Sequence, residues 1–194
     1  GDITLGGYTN DSLDEGHISL RGSYAQGSDL FLSLHTNANQ DNANGYATDE
    51  QSISINKTLV FVNAVAYEDN RMLRLANAVG SYLTEVNYDM QVSESDEFQS
   101  IETKEEAKRW SDEYNDQLNV PGTVCVRWGE HGDYYGVLRG AAMVNVPGLI
   151  IEHGFHTIPE VRKLALTGEL LEKWAEADAN GIAEGYKLMK NEGD

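Results

Sequence analysis

Cysteine is nearly absent: Cys125 stands alone among 194 residues, which excludes an internal disulfide and any cysteine-built zinc cluster. Basic residues are scarce as well. The 14 Lys and Arg face 32 Asp and Glu, and the formal net charge of −18 repels phosphate backbones and anionic lipid headgroups, so nucleic acid and membrane surfaces are disfavoured as partners. Long apolar runs are missing too. The stretches DLFLSL and VPGLII fall far short of the ~20 residues that a transmembrane helix needs, and no basic start followed by an apolar stretch opens the chain as in a signal peptide. No GxSxG nucleophile elbow, Walker loop, Rossmann glycine fingerprint or HExxH helix occurs, which removes the chemistries those motifs carry. What remains, 40% apolar and 24% charged, suits one domain over residues 1–194 with a core of its own.

The pattern along the chain predicts an α/β fold: one three-layer domain with a mostly parallel central sheet flanked by helices. Residues 29–35 (DLFLSLH) form a short, nearly continuous apolar run, read as a central parallel strand buried on both faces. Residues 148–152 (GLIIE), preceded by Pro147, read as a second buried strand that delivers a carboxylate at its C-terminal end. Weaker strands are predicted at 2–5, 58–65, 123–128 and 134–139 from β-branched and aromatic content. Met72, Leu75, Val79, Leu83 and Val86 recur every three or four residues and predict a helix over 69–86. Ala107, Trp110, Tyr114 and Leu118 predict a second helix, and 159–190 a helical C-terminal region broken at Gly168. Residues 38–56, rich in Asn, Asp, Gly and Ser, read as a loop.

Two residues stand out as carriers of chemistry. His35 leaves the first apolar run, and the alternation in SLHTNA puts Asn37 on its side of an extended strand. It is a candidate metal ligand, although an isolated histidine is more often held by backbone hydrogen bonds. Glu152 ends the second run, at the carboxyl end of a strand, where open α/β sheets place their ligands. An exposed strand-end acid is the alternative for that position taken alone. Cys125 lies inside the apolar TVCV and reads as a small buried hydrophobe.

Taken in order, SLHTNA and VPGLIIEHGFHTIPE resemble the SIHANA and PAVLVELGFISNPEE segments of the zinc-dependent N-acetylmuramoyl-L-alanine amidases, the amidase-3 family. YYGVLRGA, LRLANAV and SLRGSYAQGSDLF resemble further segments of that family, so the similarity spans most of the chain. The resemblance implies that His35 is a zinc ligand and that Glu152 is the catalytic carboxylate of a peptidoglycan hydrolase. The Zn²⁺-activated water would cleave the amide between N-acetylmuramic acid and the L-alanine of the stem peptide, with Glu152 accepting and returning the proton. It implies in turn a muramyl-peptide partner and a place outside the cell or in its wall. Asn37 and Arg139 are candidates for orienting substrate.

The chain departs from the family pattern at its start. GDITLGGYTND resembles the family's second strand, and the aspartate-proline-glycine-histidine motif and helix glutamate that supply two zinc ligands are not visible. The expectation is a chain that begins after the first strand and helix, a βα piece of roughly 30 residues. DEGH at 14–17 is a coincidental echo, and neither His17, His131, His153 nor His156 is a ligand by resemblance; His153 would point to the opposite face of the strand from Glu152. The alternative class is a noncatalytic cell-wall-binding or regulatory module on an amidase scaffold without its metal site.

Overall fold

The computed structural model describes residues 18–38, 40–41, 45–46, 56–101, 108–109 and 122–190. In chain order these form α1 (Ile18–Ser23), β1 (Phe31–Asn37), β2 (Gln40–Asp41), β3 (Gly45–Tyr46), β4 (Leu59–Val62), α2 (Ala64–Tyr67), α3 (Asn70–Asp89), β5 (Phe98–Gln99) and β6 (Lys108–Arg109). Then follow β7 (Gly122–Val126), β8 (Trp128–Gly129), β9 (Gly132–Asp133), α4 (Gly136–Met143), β10 (Gly148–Phe155), α5 (Pro159–Leu166) and α6 (Glu169–Lys190).

The main sheet runs β1-β10-β4-β7-β5, with β6 also pairing β7. β10 and β4 are antiparallel, and the other pairs are parallel. The predicted α/β class with a mostly parallel sheet is the one observed. β10 is fully apolar up to its charged residue and sits between two neighbours, so nearly all of it is buried. The reading of residues 29–35 as a central strand needs correction: among the described residues β1 lies at the sheet edge, and Leu34 is 58% exposed. Nor is β1 buried on both faces as predicted: its residues are half-buried or exposed, because what covers a strand and what pairs beside it are set by tertiary packing that an apolar run does not encode.

Helices cover both faces. A side chain at Gly148 would meet Leu138 and Ala141, which places α4 on the face that Gly148 shares with Ile150 and Glu152. α1 packs on α4, so closely that a methyl at Gly140 would overlap the main-chain oxygen of Ser19. On the other face α3 packs against α6. Asp69 caps α3 by accepting from Arg71 N at 2.9 Å, and the helix then buries Met72, Leu75, Val79 and Leu83 on one stripe. Each such side chain contributes roughly 1.5–3 kcal/mol when fully buried. Gly181 and Gly185 of α6 lie against Val79 and Leu75, so the two helices approach backbone to backbone. Gly168, at φ 86°, takes the left-handed conformation that ends α5 and lets α6 begin, as the predicted break requires.

Asn63 ties three parts of the molecule together. Its Oδ1 accepts from Ala66 N and Gly148 N, both at 2.9 Å, and its Nδ2 donates to Val146 O at 2.9 Å and Leu138 O at 3.3 Å. All four hydrogen-bonding positions of a fully buried amide are thereby met.

Other expectations need correction or fall outside the described residues. The strand predicted at 134–139 is the start of α4: Tyr135 is its extended N-cap residue, and Leu138 and Ala141, three apart, are its buried side. Tyr, Val and Leu favour strands in general, but here the helical spacing of the buried pair prevails over residue type. Of the helix predicted around Ala107–Leu118, Lys108 and Arg109 instead pair in parallel with β7, and the other residues lie outside the described ones. So do residues 2–5, His17 and most of the 38–56 loop, within which β2 and β3 pair with each other. Cys125 is buried, as expected.

Candidate active site

β1 and β10 run parallel with His35 aligned against Glu152. Neighbouring strands lie about 4.8 Å apart, and aligned residues project to the same face. The face is the one carrying α1 and α4. The register thus brings the two candidate residues side by side, but not at strand ends as predicted: β1 runs on to Asn37 and β10 to Phe155, and the register slips between His35 and Asn37 at an irregularity in β1.

His35 is exposed, and its Nε2 lies 2.8 Å from the hydroxyl of Ser33 on the same face. Glu152 is half-buried, and its Oε2 is buried with no hydrogen-bond partner among the described residues. A carboxylate oxygen in that state is strongly penalised. Burial accordingly pushes the Glu152 carboxyl up to about 7, with the charge of His153 opposing the rise. Beside it, burial pushes Tyr135 up to about 12; a hydrogen bond from Arg127 opposes this and the Glu152 charge adds to it. The Arg127 guanidinium lies 3.4 Å from the Tyr134 ring centre, and Tyr135 packs on Phe61 with centroids 4.9 Å apart. One wall next to Glu152 is therefore aromatic and carries a cation.

Of the weaker candidates, Asn37 spends its Oδ1 on Ala38 N at 2.8 Å, and Arg139 donates to Asp133 O at 3.1 Å. Both hold local backbone. Asp133 is itself buried and accepts from Ala64 N, capping α2; burial raises its pKa against that hydrogen bond.

His153 points to the opposite face from Glu152, as alternation requires. Its Nε2 lies 2.9 Å from Asp178 Oδ2 of α6, and its Nδ1 lies 2.8 Å from the main-chain oxygen of His35. The Trp174 ring packs on it at 5.2 Å between centroids. Burial pulls the His153 pKa down, but the Asp178 hydrogen bond and charge, the His35 carbonyl and the Glu152 charge together raise it. Asp178 went unnoticed in the sequence, because it is 25 residues from His153 and lies within a helix read only as amphipathic. The Arg127–Tyr134–Tyr135 wall was likewise missed; its aromatics read as strand formers and as part of a family-like segment, with no role at the site. His156 is exposed, with Nδ1 3.0 Å from Thr36 Oγ1, and His131 is exposed in the β8–β9 turn.

Among the described residues no group of three or more His, Cys, Asp or Glu side chains is placed to hold a metal ion. His35 and Glu152 make two donors, whereas a catalytic zinc takes three protein ligands. The described residues by themselves do not fit a zinc centre.

The profile of the N-acetylmuramoyl-L-alanine amidases, Amidase_3, matches residues 8–184. The chain belongs to this amidase family. Among solved structures the amidase-family chain is similar to the CwlD amidase of Clostridioides difficile, described in complex with the GerS lipoprotein. The two are 15% identical with a TM-score of 0.53, over 97% of this chain and 72% of that one. Cwp6 from Clostridium difficile is 16% identical with a TM-score of 0.48, over 86% of this chain and 19% of that one. Identity this low shows a shared fold with CwlD and nothing finer. No curated protein sequence matches the chain. No helix among the described residues is long and apolar enough to cross a membrane.

Proposed function

We propose that this chain hydrolyses the amide joining N-acetylmuramic acid to the L-alanine of the peptidoglycan stem peptide, with Glu152 as the catalytic carboxylate. The observation that carries the reading is the buried Oε2 of Glu152, inside β10 and without a hydrogen-bond partner among the described residues. A carboxyl poised at about 7 takes a proton from water and returns it to a leaving amine at neutral pH with little cost in either direction.

The family is generally zinc-dependent. We assign His35 as the zinc ligand among the described residues. With the donors there short of three, the proton transfers at Glu152 are the part of the chemistry that these residues account for. A peptidoglycan substrate would be met outside the cell or in its wall, and we propose that location.

Digestion of purified muropeptides tests the reading. Wild type should release stem peptide with a free L-alanine amino group, chelator should suppress the release, and Glu152→Ala should abolish it. Absence of any new amino terminus with the wild-type chain, with zinc supplied, overturns the proposal. The incomplete donor set favours one alternative, a noncatalytic wall-binding module. That module would sediment with intact peptidoglycan and release nothing from it.

A further inference from the structure

On the face opposite Glu152, a histidine ring reaches across from one strand to the next. His153 follows Glu152 directly in β10, and its Nδ1 meets the main-chain oxygen of His35 in β1. We propose that His153, held by Asp178, is a positioning residue that fixes the peptide of His35 against Glu152. This inference rests on the amidase reading.

Both ring nitrogens face oxygen acceptors, so the Nδ1 proton is directed at the His35 carbonyl while Asp178 holds the ring from its far side. The contact falls where the β1–β10 ladder becomes irregular, just after His35. β1 is also the edge of the sheet among the described residues, with a single strand neighbour to define its position. The backbone of His153 is fastened separately: Asn87 Nδ2 donates to His153 O at 2.8 Å, and Trp174 Nε1 donates to Asn87 Oδ1 at 2.9 Å. Side chains of α3 and α6 thus hold β10 at the residue next to Glu152, and the ring carries that constraint across to His35. His153 and Asp178 are 6% and 8% exposed, so little water competes for these bonds. A leucine would occupy similar space but would leave the Asp178 carboxylate buried without its partner and the His35 carbonyl without this donor.

Three variants of the full chain separate positioning from mere packing. Asparagine at 153 places its amide nitrogen near the Nδ1 position, glutamine places its own near Nε2, and leucine supplies neither. On a muropeptide substrate, His153→Asn should keep kcat within threefold. His153→Gln and His153→Leu should lose at least tenfold in kcat with KM little changed, irrespective of their order in Tm. Activities that follow Tm, or an unimpaired His153→Leu, overturn the proposal. A readout independent of turnover is the ring cross-peak of His35 in spectra of histidine-labelled protein. It should stay in place in His153→Asn and shift in His153→Leu; a peak unmoved in both overturns the proposal even where the chain hydrolyses nothing. A wild-type chain without hydrolysis, whose His35 peak nonetheless responds as stated, refutes the amidase reading and leaves the positioning contact supported.

Discussion

Replacing Glu152 by glutamine should make the protein more stable above neutrality while abolishing hydrolysis. Burial moves this carboxyl from an ordinary 4.5 to about 7. An acid with a higher pKa in the folded state favours folding fully below its unfolded value, and that contribution is lost as pH rises from 4.5 through about 7. At about 1.4 kcal/mol per unit, ionised Glu152 opposes folding by on the order of 3 kcal/mol once the pH passes the folded value. Glutamine removes the charge but leaves a polar atom where Oε2 finds no partner, which returns roughly 1–2 kcal/mol of the gain. The net effect near pH 8 is about 1–2 kcal/mol, or roughly 2–8 °C in Tm for a chain of this size. Near pH 4.5, where folded Glu152 is neutral and its charge no longer opposes folding, the unpaired amide remains and glutamine should be the less stable of the two by roughly 1–2 kcal/mol. Thermal or urea unfolding of both proteins, in chelator and across this pH range, measures it. A Gln variant no more stable at high pH, or a difference that does not change with pH, refutes the reasoning that Glu152 is an uncompensated buried acid.

Three further outcomes follow from the packing and the site. Asn63→Ala leaves Ala66 N, Gly148 N and two carbonyls without their partner, and should destabilise by at least about 3 kcal/mol in denaturant titration, at the common scale of 1–3 kcal/mol per stranded group; a loss below 1 kcal/mol would show that water replaces the amide. Gly140→Ala drives a methyl into the Ser19 carbonyl and should cost about 1–3 kcal/mol, read as a lowered urea midpoint with unchanged slope, whereas a neutral effect would mean that α1 moves freely away from α4. His35→Ala should weaken zinc binding in equilibrium dialysis by more than the roughly 100-fold upper end of what loss of an outer-shell partner produces; equal zinc content in the two proteins removes His35 from the ligand set.

Local pattern was sufficient to establish most of the frame. The GLIIE run is a buried strand because its apolar side chains have no polar alternation, and the stripe from Met72 to Val86 is a helix because its period matches 3.6 residues. The same reading turned His153 to the other face from Glu152, since alternation along a strand is a property of the backbone itself, but it ended the strands at His35 and Glu152, whereas β1 runs on to Asn37 and β10 to Phe155. Tertiary structure decided the rest. Which strand neighbours which is a matter of long-range pairing, so only the fold made β1 an edge and aligned His35 with Glu152. The segment YYGVLRGA became a helix because its buried side packs on α1 and β10 at helical spacing, against the strand preference of its residues. Asp178 joined His153 because α6 folds back across β10, and the pKa of Glu152 follows from how fully its neighbours exclude water. Residue type supplies the donors and acceptors, but desolvation and partnering are set by what comes to lie beside them.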